Sequence, residues 1–183
     1  ATSSEPSHNS SIVAEPNFEE AERTLARLIE EGKAPSISAF VIRGGEVVWL
    51  KSFGVANIAK GTRATPDSIY RLASISKPYT ATGLMILKEQ GKLDLDAPAN
   101  QFLKRSKLRS FVGDANAMTV RRLANHTSGL PIHYSFYYDD VLPVSVDEAI
   151  RRHGFAYRAP GTSYEYSNLG YGVLNQITEN IAE

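Results

Sequence analysis

Cysteine is absent from the 183 residues of this chain, which excludes disulfide bonds, thiolate metal ligands and a cysteine nucleophile. Net charge is absent too, because 20 basic residues balance 20 acidic ones. A balanced charge gives no electrostatic reason to expect nucleic acid or a membrane surface as partner. No apolar run approaches the roughly 18 residues that a membrane span requires. Any chemistry must therefore come from hydroxyl, amine, phenol, imidazole or carboxyl groups.

The composition is otherwise that of an ordinary globular protein, with 42% hydrophobic residues and enough length for a core. Residues 1–16 are polar and serine-rich and lack the apolar segment of a secretory signal. We expect them to form a disordered or extended leader, either the end left by signal removal or a plain terminus. The first alternative favours a periplasmic or secreted protein, and a cytoplasmic location stays open.

The first third of the chain predicts one helix followed by a β-hairpin. Asn17 can cap the helix, and apolar residues then recur at helical spacing. Two strand-like runs, Ser36–Arg43 and Glu46–Phe53, flank the pair Gly44-Gly45, which is a two-residue hairpin signal. Both runs are apolar at most positions, so we expect a central antiparallel sheet flanked by helices.

The rest of the chain predicts mainly helices, which would form a helical subdomain. A short extended piece over residues 69–72 precedes a helix over residues 74–90. Later helices are predicted over residues 119–124, from a Ser145–Glu148 capping box, and from Leu169 onward. Strands followed by helices indicate an α+β fold of the α/β sandwich type.

Two features indicate that this fold is incomplete. Two strands are too few for an independent sheet. The last helix carries an apolar stripe, including Val173 and Ile177, that still needs partners. We therefore expect residues 17–183 to be part of a domain rather than a complete one.

A serine and a lysine one helical turn apart form the first candidate site. In Ser74-Ile75-Ser76-Lys77 the hydroxyl of Ser74 and the amine of Lys77 point the same way. Pro78 is tolerated only in a first turn, so the positive helix end lies near Ser74. A desolvated lysine loses its proton readily and can then activate the serine. About one such pair arises by chance in a chain like this, so a surface pair without chemistry is the alternative.

Tyr166-Ser167-Asn168 forms the second candidate site. A phenol beside an ammonium has a lowered pKa and can carry protons. The amide of Asn168 can donate and accept, which suits it to hold a substrate carbonyl and a lysine together. The alternatives are a packed tyrosine and an asparagine that caps the following helix, and the second could hold alongside a role in binding.

These motifs together resemble the serine β-lactamase and penicillin-binding family, in particular its class C-like branch. That branch includes class C β-lactamases, DD-carboxypeptidases, D-aminopeptidases and esterases. The matching segments occur in the family's order and at about its spacing. They are Ala73–Pro78, His126–Pro131, Pro160-Gly161 and Tyr166–Asn168.

The resemblance implies an acyl-serine mechanism on an ester, amide or β-lactam, with a small molecule or peptide as substrate. Ser74 would be the nucleophile, Lys77 and Tyr166 its proton-transfer partners, and Asn168 a substrate-binding residue. His126 would shape the site from behind without chemistry, and His133 and His153 would be surface or packing residues. No cofactor is implied, and the histidines share no metal-ligand spacing with carboxylates.

One departure from the family concerns its third motif, a Lys- or His-Thr/Ser-Gly strand that follows the tyrosine box. Nothing after Asn168 matches it. The resemblance therefore implies that residues 17–183 are the N-terminal portion of a single domain whose C-terminal strands are missing from this chain. We therefore expect this chain alone to be inactive, and a C-terminal fragment of the same protein or a complementary chain to complete the site. Assembly into a homo-oligomer is a further expectation about partners.

Two other functions compete with the hydrolase. One is a non-hydrolytic sensor of the same fold that binds penicillin-like or peptidoglycan ligands. The other is an interaction protein whose apolar terminal helix recruits partners. A lipase-like enzyme is disfavoured because no Gly-x-Ser-x-Gly elbow occurs. The aromatic segment Tyr134–Tyr138 would either line the cleft or pack against the protein's own surface.

Overall fold

The computed structural model describes residues 17–132 and 142–182. The chain divides into two compact units, with the boundary between Arg71 and Leu72. The first unit combines a helix with an antiparallel sheet, and the second is mainly helical. This confirms the predicted α+β class with its helical part. The predicted leader, His133 and the aromatic segment Tyr134–Tyr138 lie outside the described residues.

Over residues 17–71, the first unit is a three-stranded sheet with one helix. The sheet order is β1-β2-β3, and both pairs of neighbours are antiparallel. The second strand runs four residues beyond the predicted Glu46–Phe53 because its far end pairs with the third strand. The elements are α1 (Glu19–Glu30), β1 (Ser36–Arg43), β2 (Glu46–Asn57) and β3 (Thr62–Arg63).

The predicted hairpin is present, and both of its glycines have left-handed backbones, with φ of 63° at Gly44 and 88° at Gly45. This is the conformation that a two-residue hairpin turn needs and that glycine adopts without a steric penalty. α1 packs on one face of the sheet through Trp49 of β2. The Trp49 ring stacks on Phe18 at 5.4 Å, and its Nε1 donates to Glu22 at 2.9 Å.

In its described residues, 72–132 and 142–182, the second unit contains four α-helices and a two-residue parallel strand pair. Two short 3₁₀ turns, Ala99–Gln101 and Ala115–Ala117, lie between the first two of these helices. Another 3₁₀ turn, Ala73–Ile75, leads directly into α2. The main elements are α2 (Ser76–Glu89), β4 (Arg109–Ser110), α3 (Val120–Ala124), α4 (Val146–His153), β5 (Phe155–Ala156) and α5 (Asn168–Ala182).

α5 forms the centre of the second unit's core. It contacts α2, α3 and α4, and Val173, Leu174 and Ile177 are fully buried. Complete burial of each such side chain contributes about 1.5–3 kcal/mol. The expectation that this apolar stripe still needs partners is therefore wrong, because three helices from earlier in the chain cover it.

Two local expectations also differ from the structure. Residues 69–72 form no strand, and Ile69 is fully exposed. The Ser145 hydroxyl caps α4 by accepting the Glu148 N–H at 3.2 Å, as predicted. However, the Glu148 carboxylate pairs with Arg151 and Arg152 instead of returning to the cap. Hydrogen bonds from these two arginines lower the Glu148 pKa to about 2.

Two structural properties bear on the classes of function considered above. No helix among residues 17–132 and 142–182 is long and apolar enough to cross a bilayer. Within those same ranges, no group of three or more His, Cys, Asp or Glu side chains could hold a metal ion.

Candidate active site

Ser74 lies in the 3₁₀ turn that leads into α2, and its side chain is exposed. The residue before it, Ala73, has a left-handed φ of 46°, which is uncommon for a residue with a Cβ atom. Such local strain of about 1–3 kcal/mol persists only where surrounding structure holds it, and it clusters at functional sites. Pro78 occupies the first turn of α2, as its missing N–H requires.

The structure brings all four predicted site residues together. Ser74 Oγ and Tyr166 Oη share a hydrogen bond of 2.7 Å. Lys77 Nζ donates to Ser74 Oγ at 3.3 Å and to Asn168 Oδ1 at 2.7 Å. Ninety-two residues separate Ser74 from Tyr166 in sequence, so this cluster depends on tertiary packing of α2 against the segment that opens α5.

Lys77 also lies against two aromatic rings. Its Nζ is 4.7 Å from the centroid of the Tyr166 ring and 5.4 Å from that of Tyr171. Both distances are within the range in which a ring face attracts a cation. The hydrogen bond from Lys77, followed by that from Ser74, lowers the pKa of the Tyr166 phenol below its ordinary value. The phenol is thereby better suited to release and accept protons.

Asn168 is the first residue of α5, but Ser167 provides the cap of that helix. Ser167 Oγ accepts the N–H of Gly170 at 2.9 Å and donates to the carbonyl of Pro131 at 2.8 Å. The alternative role of Asn168 as N-cap is therefore not observed. Its side-chain oxygen faces Lys77 instead, and its N–H donates to the carbonyl of Ile132 at 3.0 Å.

His126 lies behind the cluster, where the sequence predicted a shaping role. Its ring is buried, and its centroid is 4.4 Å from that of Tyr166 and 5.2 Å from that of Tyr171. Sequence reasoning missed Tyr171, although it lies one helical turn after Asn168 and so shares a face of α5 with it. The other described histidine, His153, ends α4 and is partly buried.

The arrangement is chemically competent for attack by a hydroxyl. A serine oxygen with a phenol and an amine in contact has two groups that can take its proton. One of these, the phenol, has a pKa displaced toward neutrality. The other, the amine, is held by an amide oxygen that leaves it directed at the serine.

Comparison with known proteins identifies the family. The Beta-lactamase family model matches residues 21–183. Penicillin-binding protein 4* of Bacillus subtilis (strain 168) is 27% identical over 168 residues, covering 86% of this chain and 35% of that protein. This chain thus spans about a third of the length of the curated relatives that it matches.

Solved structures agree. The octameric penicillin-binding protein homologue from Pyrococcus abyssi superimposes with a TM-score of 0.76 at 33% identity, over 91% of this chain and 40% of that one. The D-amino acid amidase from Ochrobactrum anthropi SV3 gives 0.72 at 29%, over 88% and 44%. A class C β-lactamase gives 0.70 at 22%, over 96% and 47%, which shows the shared fold. The chain therefore belongs to the β-lactamase family, whose members are serine hydrolases.

Proposed function

We propose that this chain carries the nucleophile part of a serine hydrolase active site, which works through an acyl-enzyme on an ester, amide or β-lactam. Ser74 is the nucleophile, Tyr166 carries its proton with the help of the Lys77 charge, and Asn168 positions the lysine and the substrate. The observation that supports this most directly is the convergence on Ser74 Oγ of Tyr166 Oη at 2.7 Å and Lys77 Nζ at 3.3 Å.

Acylation begins when Ser74 Oγ attacks the substrate carbonyl carbon. The serine proton moves to the ionised oxygen of Tyr166, a form that the neighbouring Lys77 ammonium favours. The tetrahedral intermediate then collapses, and the bond from the carbonyl carbon to the leaving nitrogen or oxygen breaks. Tyr166 returns the proton to the leaving group, so the products are an acyl ester on Ser74 and a neutral amine or alcohol.

Deacylation reverses the same proton path with water. Tyr166 accepts a proton from a water molecule as the water oxygen attacks the ester carbonyl. Collapse breaks the ester bond, and the proton passes from Tyr166 back to Ser74 Oγ. The acid product leaves, and the hydroxyl, phenol and amine return to their initial state. Lys77 stays in place throughout because Asn168 Oδ1 and two rings hold it.

We further propose that polypeptide beyond these 183 residues completes the cleft. The family's third motif supplies a strand with the second oxyanion donor, and no segment after Asn168 matches it. The relatives are two to three times as long as the stretch they share with this chain. Their length supports a C-terminal segment of the same protein as the partner, rather than a separate complementary chain.

A non-hydrolytic sensor of penicillin-like or peptidoglycan ligands is the competing function, and it shares the first chemical step. The two differ only in whether the acyl ester on Ser74 turns over. The relatives include both a penicillin-binding protein and an amidase, by their names. The experiment therefore has to follow the acyl-enzyme through to its release.

The test is covalent labelling of the intact protein with a fluorophosphonate and with a fluorescent penicillin, followed by peptide mass spectrometry. We expect the label on Ser74 in the wild type and no label in Ser74→Ala. Ser76→Ala is the matched control because Ser76 is an exposed hydroxyl in the same motif, and we expect it to label normally. Label on any other residue, or equal labelling of Ser74→Ala, would refute the proposed nucleophile.

Time courses with ester, D-amino-acid amide and β-lactam substrates then separate the two functions. Release of acid product with recovery of free Ser74 identifies a hydrolase. A stable acyl adduct on Ser74 with every substrate would identify a sensor instead.

A further inference from the structure

His126 binds the peptide on both sides of Tyr166. Its backbone carbonyl accepts the N–H of Glu165 at 2.7 Å. Its side-chain Nδ1 accepts the N–H of Ser167 at 3.0 Å. A single residue therefore satisfies the two backbone donors that flank the phenol-bearing residue. The segment around Tyr166 can move toward or away from Ser74 only if these bonds change.

An unusual backbone conformation makes this double contact available. His126 has a left-handed φ of 62°, a conformation that few non-glycine residues adopt, although histidine adopts it more often than most. Its own N–H donates to Leu123 O in α3 at 3.3 Å. The carbonyl and the imidazole are thus anchored to α3 while both face the Tyr166 segment. The ring also supports the phenol directly, with centroids 4.4 Å apart and planes 32° apart.

We propose that His126 is a positioning residue that holds the Tyr166 phenol against Ser74, and that it does so only as a neutral imidazole with Nδ1 unprotonated. The inference rests on the proposed function of Ser74 and Tyr166, which it deepens. His126 touches neither the nucleophile nor a reacting atom, so it acts through Tyr166 alone.

Titratable groups from α2, from α5 and from the segment before α5 face the imidazole. They are the Lys77 ammonium on α2, the phenols of Tyr164 and Tyr166 before α5, and Tyr171 on α5. Burial, followed by the charge of Lys77, lowers the pKa of His126 below its ordinary value. The hydrogen bond from the Ser167 N–H to His126 Nδ1 is therefore intact at neutral pH. As pH falls through that lowered pKa, Nδ1 becomes protonated. Two N–H donors then face each other, and the hydrogen bond to Ser167 breaks.

His126→Phe keeps an aromatic ring behind Tyr166 but removes the Nδ1 acceptor. We expect its acylation rate at neutral pH to fall by roughly tenfold to a hundredfold, because small misplacements of reacting groups have effects of that size. In the wild type we expect the acylation rate to fall at acid pH as His126 becomes protonated. This fall should be absent from the pH profile of His126→Phe. His126→Asn tolerates a left-handed backbone and keeps an acceptor oxygen, so its rate should lie between those of His126→Phe and the wild type. His153→Phe, the same exchange outside the site, should leave rate and profile unchanged.

A measurement on the wild type keeps the inference testable if the variants fold poorly. Nitrogen-15 spectra of the imidazole should show Nδ1 unprotonated at neutral pH, and the Ser167 amide should be protected from exchange until acid pH. A protonated Nδ1 at neutral pH would overturn the inference. So would His126→Phe acylating at the wild-type rate with the wild-type pH profile. Either result leaves the function of Ser74 standing, because that depends on labelling of Ser74 in the wild type.

Discussion

At the scale of single residues, Lys77 contacts three groups of the site. Its ammonium donates to Ser74 and Asn168 and lies over the ring of Tyr166. A hydrogen bond from Lys77 is also the leading cause of the lowered pKa of the Tyr166 phenol. Arginine could not replace it, because the planar fork of a guanidinium does not match three donors around one point.

Lys77→Met removes the charge and both hydrogen bonds while keeping an unbranched side chain. We expect acylation of Ser74 to slow by about 10²–10⁴-fold, the range that positioned proton-transfer groups contribute. The pKa of Tyr166 should rise toward its ordinary value, so the residual activity should shift to higher pH. The checks are labelling rates as a function of pH and tyrosine titration in ring-labelled protein. Lys88→Met, an exposed lysine of the same helix, is the control, and an unmoved Tyr166 pKa would contradict the assignment.

At the scale of elements, the site depends on the loop that follows α3 and on the segment that leads into α5. Ser167 caps α5 and ties it to Pro131, so the helix start is fixed against the loop that follows His126. Asn168 then begins α5 with its amide directed at α2. The turn through Gly129 supports the same region, since its carbonyl accepts the N–H of Tyr157 at 3.0 Å.

Gly129 and Gly113 provide a matched pair for testing that turn. Both have left-handed backbones, with φ of 78° and 80°. A Cβ on Gly129 would lie 2.2 Å from the carbonyl oxygen of Arg158, whereas one on Gly113 would meet nothing closer than 3.8 Å. We expect Gly113→Ala to lower the free energy of unfolding by about 1 kcal/mol from backbone strain alone. Gly129→Ala should lower it by about 2–4 kcal/mol because overpacking adds to that strain.

Urea unfolding of both variants measures the difference. Equal losses of unfolding free energy in the two variants would mean that the segment around Arg158 moves aside at no energetic cost. Close packing at Gly129 would then not be what stabilises the turn.

At the scale of the whole molecule, one face of the first unit's sheet is apolar and exposed among the residues that the structure describes. The paired residues Phe40 and Leu50, and Ile42 and Val47, share that face by their register. These four side chains are 44 to 62% exposed. Trp49, on the opposite face, packs against α1. Apolar patches of this kind mark surfaces that other polypeptide covers.

We therefore expect the 183-residue chain by itself to bind an apolar dye strongly and to hydrolyse none of the three substrate types. The intact protein should bind little dye and turn over, because added strands cover the apolar face and supply the second oxyanion donor. Comparing dye fluorescence and product release between the two forms is the measurement. Intact protein carrying Ser74→Ala serves as control: it should bind little dye yet stay inactive. Full turnover by the short chain would refute the need for a further segment.

Self-association stays a prediction for this protein. The Pyrococcus abyssi homologue is described as octameric, and that description belongs to the homologue. Light scattering of the intact protein would give the number of subunits directly.

Local signals in the sequence predicted much of this structure correctly. Gly44-Gly45 predicted the hairpin because left-handed backbones there require glycine, and Ser145 predicted the start of α4 because its hydroxyl binds a free N–H. Pro78 predicted a helix that begins near Ser74, and the structure begins α2 at Ser76, directly after the 3₁₀ turn Ala73–Ile75. Signals of this kind fail for residues 69–72, where an apolar run forms no strand. They fail too for β4 and β5, which are two residues each and pair across 44 intervening residues.

The sequence by itself determined the residue types, their order and the helix that sets Ser74 and Lys77 one turn apart, because those relations are local. It could not decide whether Asn168 caps α5 or faces Lys77, nor what covers the apolar stripe of that helix. Only tertiary packing decided these points: Ser167 took the cap, and α2, α3 and α4 covered the stripe. It also revealed that His126 holds both N–H groups beside Tyr166. Contacts between residues 40 to 90 positions apart depend on how whole elements pack, and no local pattern encodes that.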